Sequence, residues 1–285
     1  MAMILNGKDV AADINRKTKE ESAKLRKKGV IPTIGILRVG NKEDDIAYEK
    51  GILKNCQSVD VGGKVFELPE DVTMETFFET LETVNNDSNI HGILIFSPLP
   101  KQLDESKIKH RINPAKDIDC MNPQNMIEIF EGTMDGFMPC TPAAVMEILK
   151  FYNVELNGAN TVVIGRSMVV GKPLSMMLLS ANSTITICHS KTQNLRAMVS
   201  QADIVVAAIG KAKFVGKDFI KPGAVVIDVG INVDDKGNIW GDVHYEEVET
   251  VAGKITPVPG GVGSVTTSIL LKHVVKAASK LNNFS

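Results

Sequence analysis

The chain has 285 residues, 44% of them hydrophobic and 23% charged, with a formal net charge of −2. That composition is ordinary for a globular protein, and the length suits two domains of about 100–200 residues each. Near-neutral charge leaves no electrostatic footprint for nucleic acid or an anionic membrane, and no apolar run approaches the roughly 20 residues that cross a bilayer.

The start, Met1-Ala-Met-Ile-Leu-Asn-Gly-Lys8, turns polar too soon for a signal-peptide core, so a cytoplasmic protein is expected. Residues from about Lys8 to Lys28 read as an amphipathic helix with Val10, Ile14 and Leu25 near one face, ended by Gly29 and Pro32. Thr33–Val39 follows as a buried strand, then a helix from about Asp44 to Ser58, a strand at Lys64–Leu68 stopped by Pro69, a helix over Thr73–Val84 and a strand at His91–Phe96. Strands spaced by helical patterns imply βαβ units and a parallel sheet.

The chain changes character around Pro139–Pro142. A helix from about Pro142 to Tyr152 leads into a second alternating series. Its strands are Thr161–Ile164, Thr184–Ile187, Ile204–Ala208 and Ala224–Asp228. A last helix, about Ser264 to Leu281, has no strand after it, and the pattern leaves open which domain it packs on. The fold class is therefore α/β.

The first strand of the second series runs into Gly165-Arg-Ser-Met-Val-Val-Gly-Lys-Pro173. A small-residue turn between strand and helix lets backbone N–H groups approach a phosphate, and the helix dipole favours its charge. Pro173 suits a first helical turn. The spacing is a longer, Ser-containing variant of G-x-G-x-x-G, and its strand–turn–helix context gives it weight. NAD sites carry an acid about 20 residues further on. Here the second strand ends in Cys188-His-Ser-Lys-Thr192, without a carboxylate. Arg166, Lys191 and the hydroxyl of Ser190 suit a 2′-phosphate, which favours NADP over NAD. The alternative is that both cations are solvated surface charges.

Cys56, Cys120, Cys140 and Cys188 have no C-x-x-C or zinc-like spacing, and the five histidines (His91, His110, His189, His244, His273) are scattered. Buried free thiols, structural or solvated histidines and no metal are expected.

Three segments resemble the methylenetetrahydrofolate dehydrogenase/cyclohydrolase family: Gly165–Pro173, Lys221-Pro-Gly-Ala-Val-Val-Ile-Asp-Val-Gly-Ile-Asn232, and Thr256-Pro-Val-Pro-Gly-Gly-Val-Gly263. Tyr48, Gly92-Ile-Leu-Ile-Phe-Ser-Pro-Leu-Pro100 and Lys116-Asp-Ile-Asp119 extend the likeness through the N-terminal half. The resemblance implies a folate-binding domain over residues 1–140 and 265–285, completed by the returning C-terminal helix. A Rossmann-type NADP domain would occupy 141–264. It also implies a homodimer, folate in the cleft between the domains, and a place in one-carbon metabolism and purine biosynthesis. The reaction would take 5,10-methylenetetrahydrofolate to the methenyl cation, and many members then hydrolyse that cation at the same site. By the same resemblance, Gly165, Arg166, Ser167, Ser190 and Ile231 match cofactor contacts. Tyr48, Phe96, Asp119 and the Pro259-Gly260-Gly261 loop match the folate site, with Tyr48 and Asp119 as the catalytic pair.

Hydride transfer needs little acid or base help, because the adjacent nitrogen lone pair pushes as hydride leaves; the protein's work is to hold the rings. Hydrolysis differs, since a water must attack and a proton must move. Family members that do both keep a lysine four residues after the tyrosine and a glutamine before the Pro-Leu-Pro segment. This chain has Ile52 and Phe96 at those places. Lys50 and Lys54 lie at about 200° and 240° around the helix from Tyr48, so neither replaces the lysine. The expectation is an NADP-dependent dehydrogenase with weak or absent cyclohydrolase activity. A fully bifunctional enzyme is the alternative, and a non-catalytic NADP- or folate-binding protein is a third.

Overall fold

The computed structural model describes residues 1–133 and 135–284. They fall into two compact units: residues 12–133 and 135–140 with 267–284, and residues 1–11 with 141–266. Strand β1 (Met3–Ile4) and helix α1 (Gly7–Lys27) open the chain.

The first unit continues through β2 (Thr33–Val39), α2 (Glu43–Ser58), β3 (Gly62–Leu68), α3 (Met74–Asn86) and β4 (Gly92–Ile95). Short helices α4 (Glu105–Ile108) and α5 (Pro123–Glu131) follow. The three strands form a parallel sheet in the order β3-β2-β4, with Ile36 opposite both Val65 and Leu94. After Thr33, every residue of β2 is buried, as a central strand of a parallel sheet requires. Leu37, Ile93 and Ile95 pack on Phe77, Leu81 and Val84 of α3. That helix starts where the Thr73 hydroxyl accepts from the Thr76 N–H at 3.2 Å. Arg38 is the exception in the apolar strand. Its guanidinium, 3% exposed, donates to Glu49 of α2 at 2.7 Å and to Asn41 at 3.0 Å, so the pair ties α2 to the end of β2.

The second unit holds α6 (Cys140–Phe151, from Thr141 onward), β5 (Asn160–Ile164), α7 (Gly171–Ser180), β6 (Thr184–Cys188), α8 (Leu195–Val199), β7 (Ile204–Ala207) and β8 (Val225–Asp228). Next come β9 (Asn232–Val233), β10 (Ile239–Trp240), α9 (Tyr245–Val248), β11 (Lys254–Ile255) and α10 (Gly263–Leu281). Six parallel strands run in the order β1-β11-β8-β7-β5-β6. The chain steps from β5 to β6 on one side and to β7 and β8 on the other. That makes the carboxyl end of β5 the switch point, where open α/β sheets bind ligands. The core beneath it contains Val162, Ile164, Val205, Ala207 and Val226.

Residues 1–11 go with this second unit because Met3 and Ile4 pair with Lys254 and Ile255. Neither two-residue strand carries a sequence pattern. From Thr267 on, α10 packs with the first unit: the His273 ring lies 2.8 Å from the Ile118 carbonyl, and Lys276 donates to the Gly136 carbonyl at 2.7 Å. The question left open for the last helix is settled by those bonds. Among the described residues no helix is long and apolar enough to cross a membrane.

Candidate functional site

In the first unit the candidate residues gather at the ends of β2 and β4. Glu49, Ile52 and Cys56 form the buried stripe of α2, which leaves Tyr48 on the rim of that face. Its ring is 49% exposed and lies 5.4 Å from that of Phe96, tilted by 37°. Its hydroxyl reaches Thr267 of α10. Burial of that end, with the negative charge of Asp119 added, pushes the phenol up to about 12, so it stays protonated at neutral pH.

Asp119 is set by its neighbours. The first acid of the Lys116–Asp119 segment, Asp117, is buried and spends its carboxylate on the N–H groups of Met121 (2.9 Å) and Asn122 (2.7 Å) and the Asn125 amide (3.0 Å). Asp117 therefore shapes the turn. Asp119 accepts from the Cys140 N–H at 3.1 Å, while His273 grips the preceding carbonyl of Ile118. Burial raises the Asp119 pKa, and its bonds to Cys140 partly offset that. A desolvated carboxylate with spare lone pairs suits a ligand that brings its own N–H donors.

The two positions expected to lack polar groups behave differently from a shared apolar wall. Phe96 is 7% exposed but packs against Tyr48; Ile52 is 1% exposed and points into the unit, so no ligand ring lies on it.

In the second unit the β5–α7 turn is tight. Gly165 has φ +138°, and a Cβ there would fall 2.2 Å from the Ala208 carbonyl oxygen; a Cβ on Gly171 would fall 2.2 Å from the oxygen of Gly165. The loop closes on itself, bringing the first amides of α7, which no side chain caps, to the switch point. Gly165 donates to the Cys188 carbonyl at 2.9 Å, which sets the Arg166-Ser167 turn beside the Ser190-Lys191 turn. Arg166, Ser167, Ser190 and Lys191 are all exposed, and among the described residues Arg166 forms no ion pair. The cradle fits a dinucleotide phosphate, with cations free for a further one.

A hollow in the same unit is lined by Asp228–Ile231, Ile239 and Pro257–Ser264. It unites Ile231, 64% exposed, with Pro259, Gly260 and Gly261, residues set apart in the sequence reading. Sequence reasoning missed Thr267 and Cys140, whose roles rest on long-range contacts. It also gave no role to Asp228 and Asp242, although the segments D-V-G and G-D-V that hold them were visible. The four cysteines are free and buried, and among the described residues no cluster of His, Cys, Asp or Glu could hold a metal.

A dinucleotide cradle at a switch point and a desolvated acid–tyrosine site in a separate α/β unit define a two-domain nicotinamide-dependent enzyme. The model of the tetrahydrofolate dehydrogenase/cyclohydrolase catalytic domain matches residues 5–119, and that of the same family's NAD(P)-binding domain matches 139–282. The chain is 55% identical to the bifunctional protein FolD of Alkaliphilus oremlandii, over 99% of both chains. It is 54% identical to that of Clostridioides difficile, over 98% of both. A crystal structure of the Campylobacter jejuni bifunctional FolD enzyme superposes with a TM-score of 0.96 at 38% identity, covering 98% of this chain and 99% of that one. A Trypanosoma brucei FolD, solved with NADP and an inhibitor, gives 0.91 at 34% identity over 98% of each. The chain belongs to the tetrahydrofolate dehydrogenase/cyclohydrolase family: an α/β enzyme with an N-terminal catalytic folate domain and a C-terminal NADP-binding domain.

Proposed function

We propose that this enzyme oxidises 5,10-methylenetetrahydrofolate to the methenyl cation with NADP⁺, and that it hydrolyses that cation weakly or not at all. The observation that carries the reading is the pairing of a free Arg166 and exposed Ser190 at the dinucleotide turn with a desolvated Asp119 beside Tyr48. Bound NADP⁺ supplies the hydride acceptor. Gly165, Ser167 and the first amides of α7 hold its diphosphate, and Arg166 and Ser190 hold the 2′-phosphate. Asp119 accepts the N–H groups of the pterin, and the protonated Tyr48, packed at a tilt against Phe96, borders that ring. Ile231 walls the nicotinamide end, and the Pro259–Gly261 loop belongs to the folate site that the family resemblance implies. No side-chain proton is required for hydride departure, so the missing lysine and glutamine leave this step untouched.

Hydrolysis needs a positioned water and a group to move its proton. With hydrocarbon at Ile52 and Phe96, the proton-handling group is gone, a loss typically worth about 10²–10⁴-fold. The relatives' names support the other reading, full bifunctionality, at least as well, since proteins 55% and 54% identical to this chain are called bifunctional. The family resemblance adds a cytoplasmic homodimer serving one-carbon metabolism and purine synthesis. One assay separates the readings: methylenetetrahydrofolate and NADP⁺ are mixed with the enzyme while NADPH and methenyl absorbance are followed together. NADPH with persistent methenyl supports our reading. NADPH with decaying methenyl supports the bifunctional one, and no NADPH leaves only a binding protein.

A further inference from the structure

Two acids that the reading above leaves without a task meet at the hollow: Asp228 in its lining, and Asp242, whose N–H bonds to Asp228. Asp228 and Asp242 are 3% and 0% exposed. The Asp228 carboxylate accepts from the N–H groups of Gly230 (2.9 Å), Asp242 (3.0 Å) and Val243 (2.9 Å). The Asp228 N–H in turn donates to the Thr256 hydroxyl at 2.7 Å. The Asp242 carboxylate accepts from Ile209 (2.6 Å), Gly210 (3.0 Å), Lys211 (2.7 Å) and the Asn232 amide (3.0 Å). Seven donors therefore fill Asp242 and nearly fill Asp228, and backbone dipoles rather than a cation balance most of their charge. Asp242 has no lone pair to spare, and most of Asp228 is committed to the turns.

Their turns interlock. A Cβ on Gly230 would lie 2.4 Å from the Asp242 carboxyl carbon, and one on Gly241 would lie 1.9 Å from an Asp228 carboxyl oxygen. Each acid thus fills the space that the other turn's glycine leaves open. The lock joins the loop after β7, the Gly230–Asn232 segment and Thr256, the head of the Pro257–Gly263 loop. Ile231 is mostly solvent-exposed, so its position is set by these backbone ties more than by its own packing.

We propose that Asp242, acting with Asp228, is a positioning residue for the nicotinamide end of the site: the interlocked acids fix Ile231 and the 209–211 loop at the geometry that hydride transfer needs. The proposal rests on the functional reading above for which end of the cofactor lies there. Asp242→Asn turns one acceptor oxygen into a donor facing other donors. Asn232→Ala is the milder variant, deleting the tie between the Ile231 segment and Asp242 together with a longer bond, 3.3 Å, to the Trp240 carbonyl.

The test compares both variants with the full-length wild type in three measurements: affinity for NADPH by fluorescence, affinity for adenosine 2′,5′-bisphosphate by calorimetry, and amide hydrogen exchange at 209–211 and 229–232. Kinetics of methylenetetrahydrofolate oxidation follow. Expected results are bisphosphate affinity within about twofold of wild type, NADPH affinity down about fivefold or more, and faster exchange in both loops. The kcat should fall about ten- to hundredfold, with the folate KM little changed. Equal losses for NADPH and bisphosphate, or unchanged NADPH affinity and kcat despite faster exchange, would overturn the proposal. If Asp242→Asn does not fold, Asn232→Ala decides by the same criteria. A wild type that transfers no hydride sinks the functional reading, while the NADPH-to-bisphosphate ratio still decides this one.

Discussion

The folate-side and cofactor-side regions solve the same problem, a precise polar site on an apolar frame, with opposite materials. Around Tyr48 and Asp119 the polar side chains are few: one carboxylate is held by the backbone N–H and thiol of Cys140, one phenol is pushed up to about 12, and Ile52 and Phe96 are hydrocarbon. Around Gly165, Gly230 and Gly261 the work is done by backbone, with glycines admitting close approaches and buried acids held mostly by N–H groups. A site built from side chains is changed by single substitutions. A site built from backbone is changed only where a turn is unlocked. In the function proposed above, the family's second reaction depends on the first kind of site, and the hydride step depends mainly on the second.

Restoring the ammonium is the harshest way to break this contrast. Ile52→Lys places a charge where the side chain is 1% exposed, and no carboxylate on that face is free, because Glu49 already pairs with Arg38. A fully buried lysine drops by up to about 3–5 pKa units, which at 1.36 kcal/mol per unit is a cost of about 4–7 kcal/mol. Thermal melting should show a large loss of stability, and an unchanged Tm would mean that this position opens to water.

Asp119→Asn is next. A charged hydrogen bond is worth about 1.5–3 kcal/mol, so the folate KM should rise about 10- to 100-fold, with NADP⁺ affinity nearly constant. Because burial raises the Asp119 pKa, protonation begins at a higher pH than for an ordinary carboxylate. Wild-type folate binding should therefore weaken on acidification through that raised value, and the acid limb should vanish in Asp119→Asn. Wild-type folate kinetics in the variant would remove Asp119 from the site.

Arg166→Ala should have the smallest effect and the most selective one. NADP⁺ binding should weaken by about 1–3 kcal/mol and NAD⁺ binding much less. Equal losses would mean that Arg166 does not read the 2′-phosphate.

Much of the fold was legible because the long elements carry their own periodicity. Strand Thr33–Val39 agrees at both ends, and α2, α7's turn and the strands of the second series fall within a residue or two of expectation. What escaped is non-local. Met3–Ile4 is a strand only because Lys254–Ile255 lies beside it, and the β9–β10 hairpin spans two residues a side. The same holds for the site. The strand–turn–helix placement of the Gly165–Pro173 segment was readable from its pattern, whereas the partnership of Asp119 with Cys140 and of Tyr48 with Thr267 joins residues far apart in the chain. The sequence placed Ile52 four residues after Tyr48 but did not show that this face of α2 is buried, which leaves Ile52 1% exposed.

The most direct measurement supplies methenyltetrahydrofolate to the wild-type enzyme and follows its decay with spontaneous hydrolysis subtracted, on a preparation shown to reduce NADP⁺ with methylenetetrahydrofolate. The account predicts oxidation without enzyme-dependent decay of the methenyl cation. Rapid enzyme-dependent hydrolysis would contradict it and show that water and its proton are handled without the lysine and glutamine.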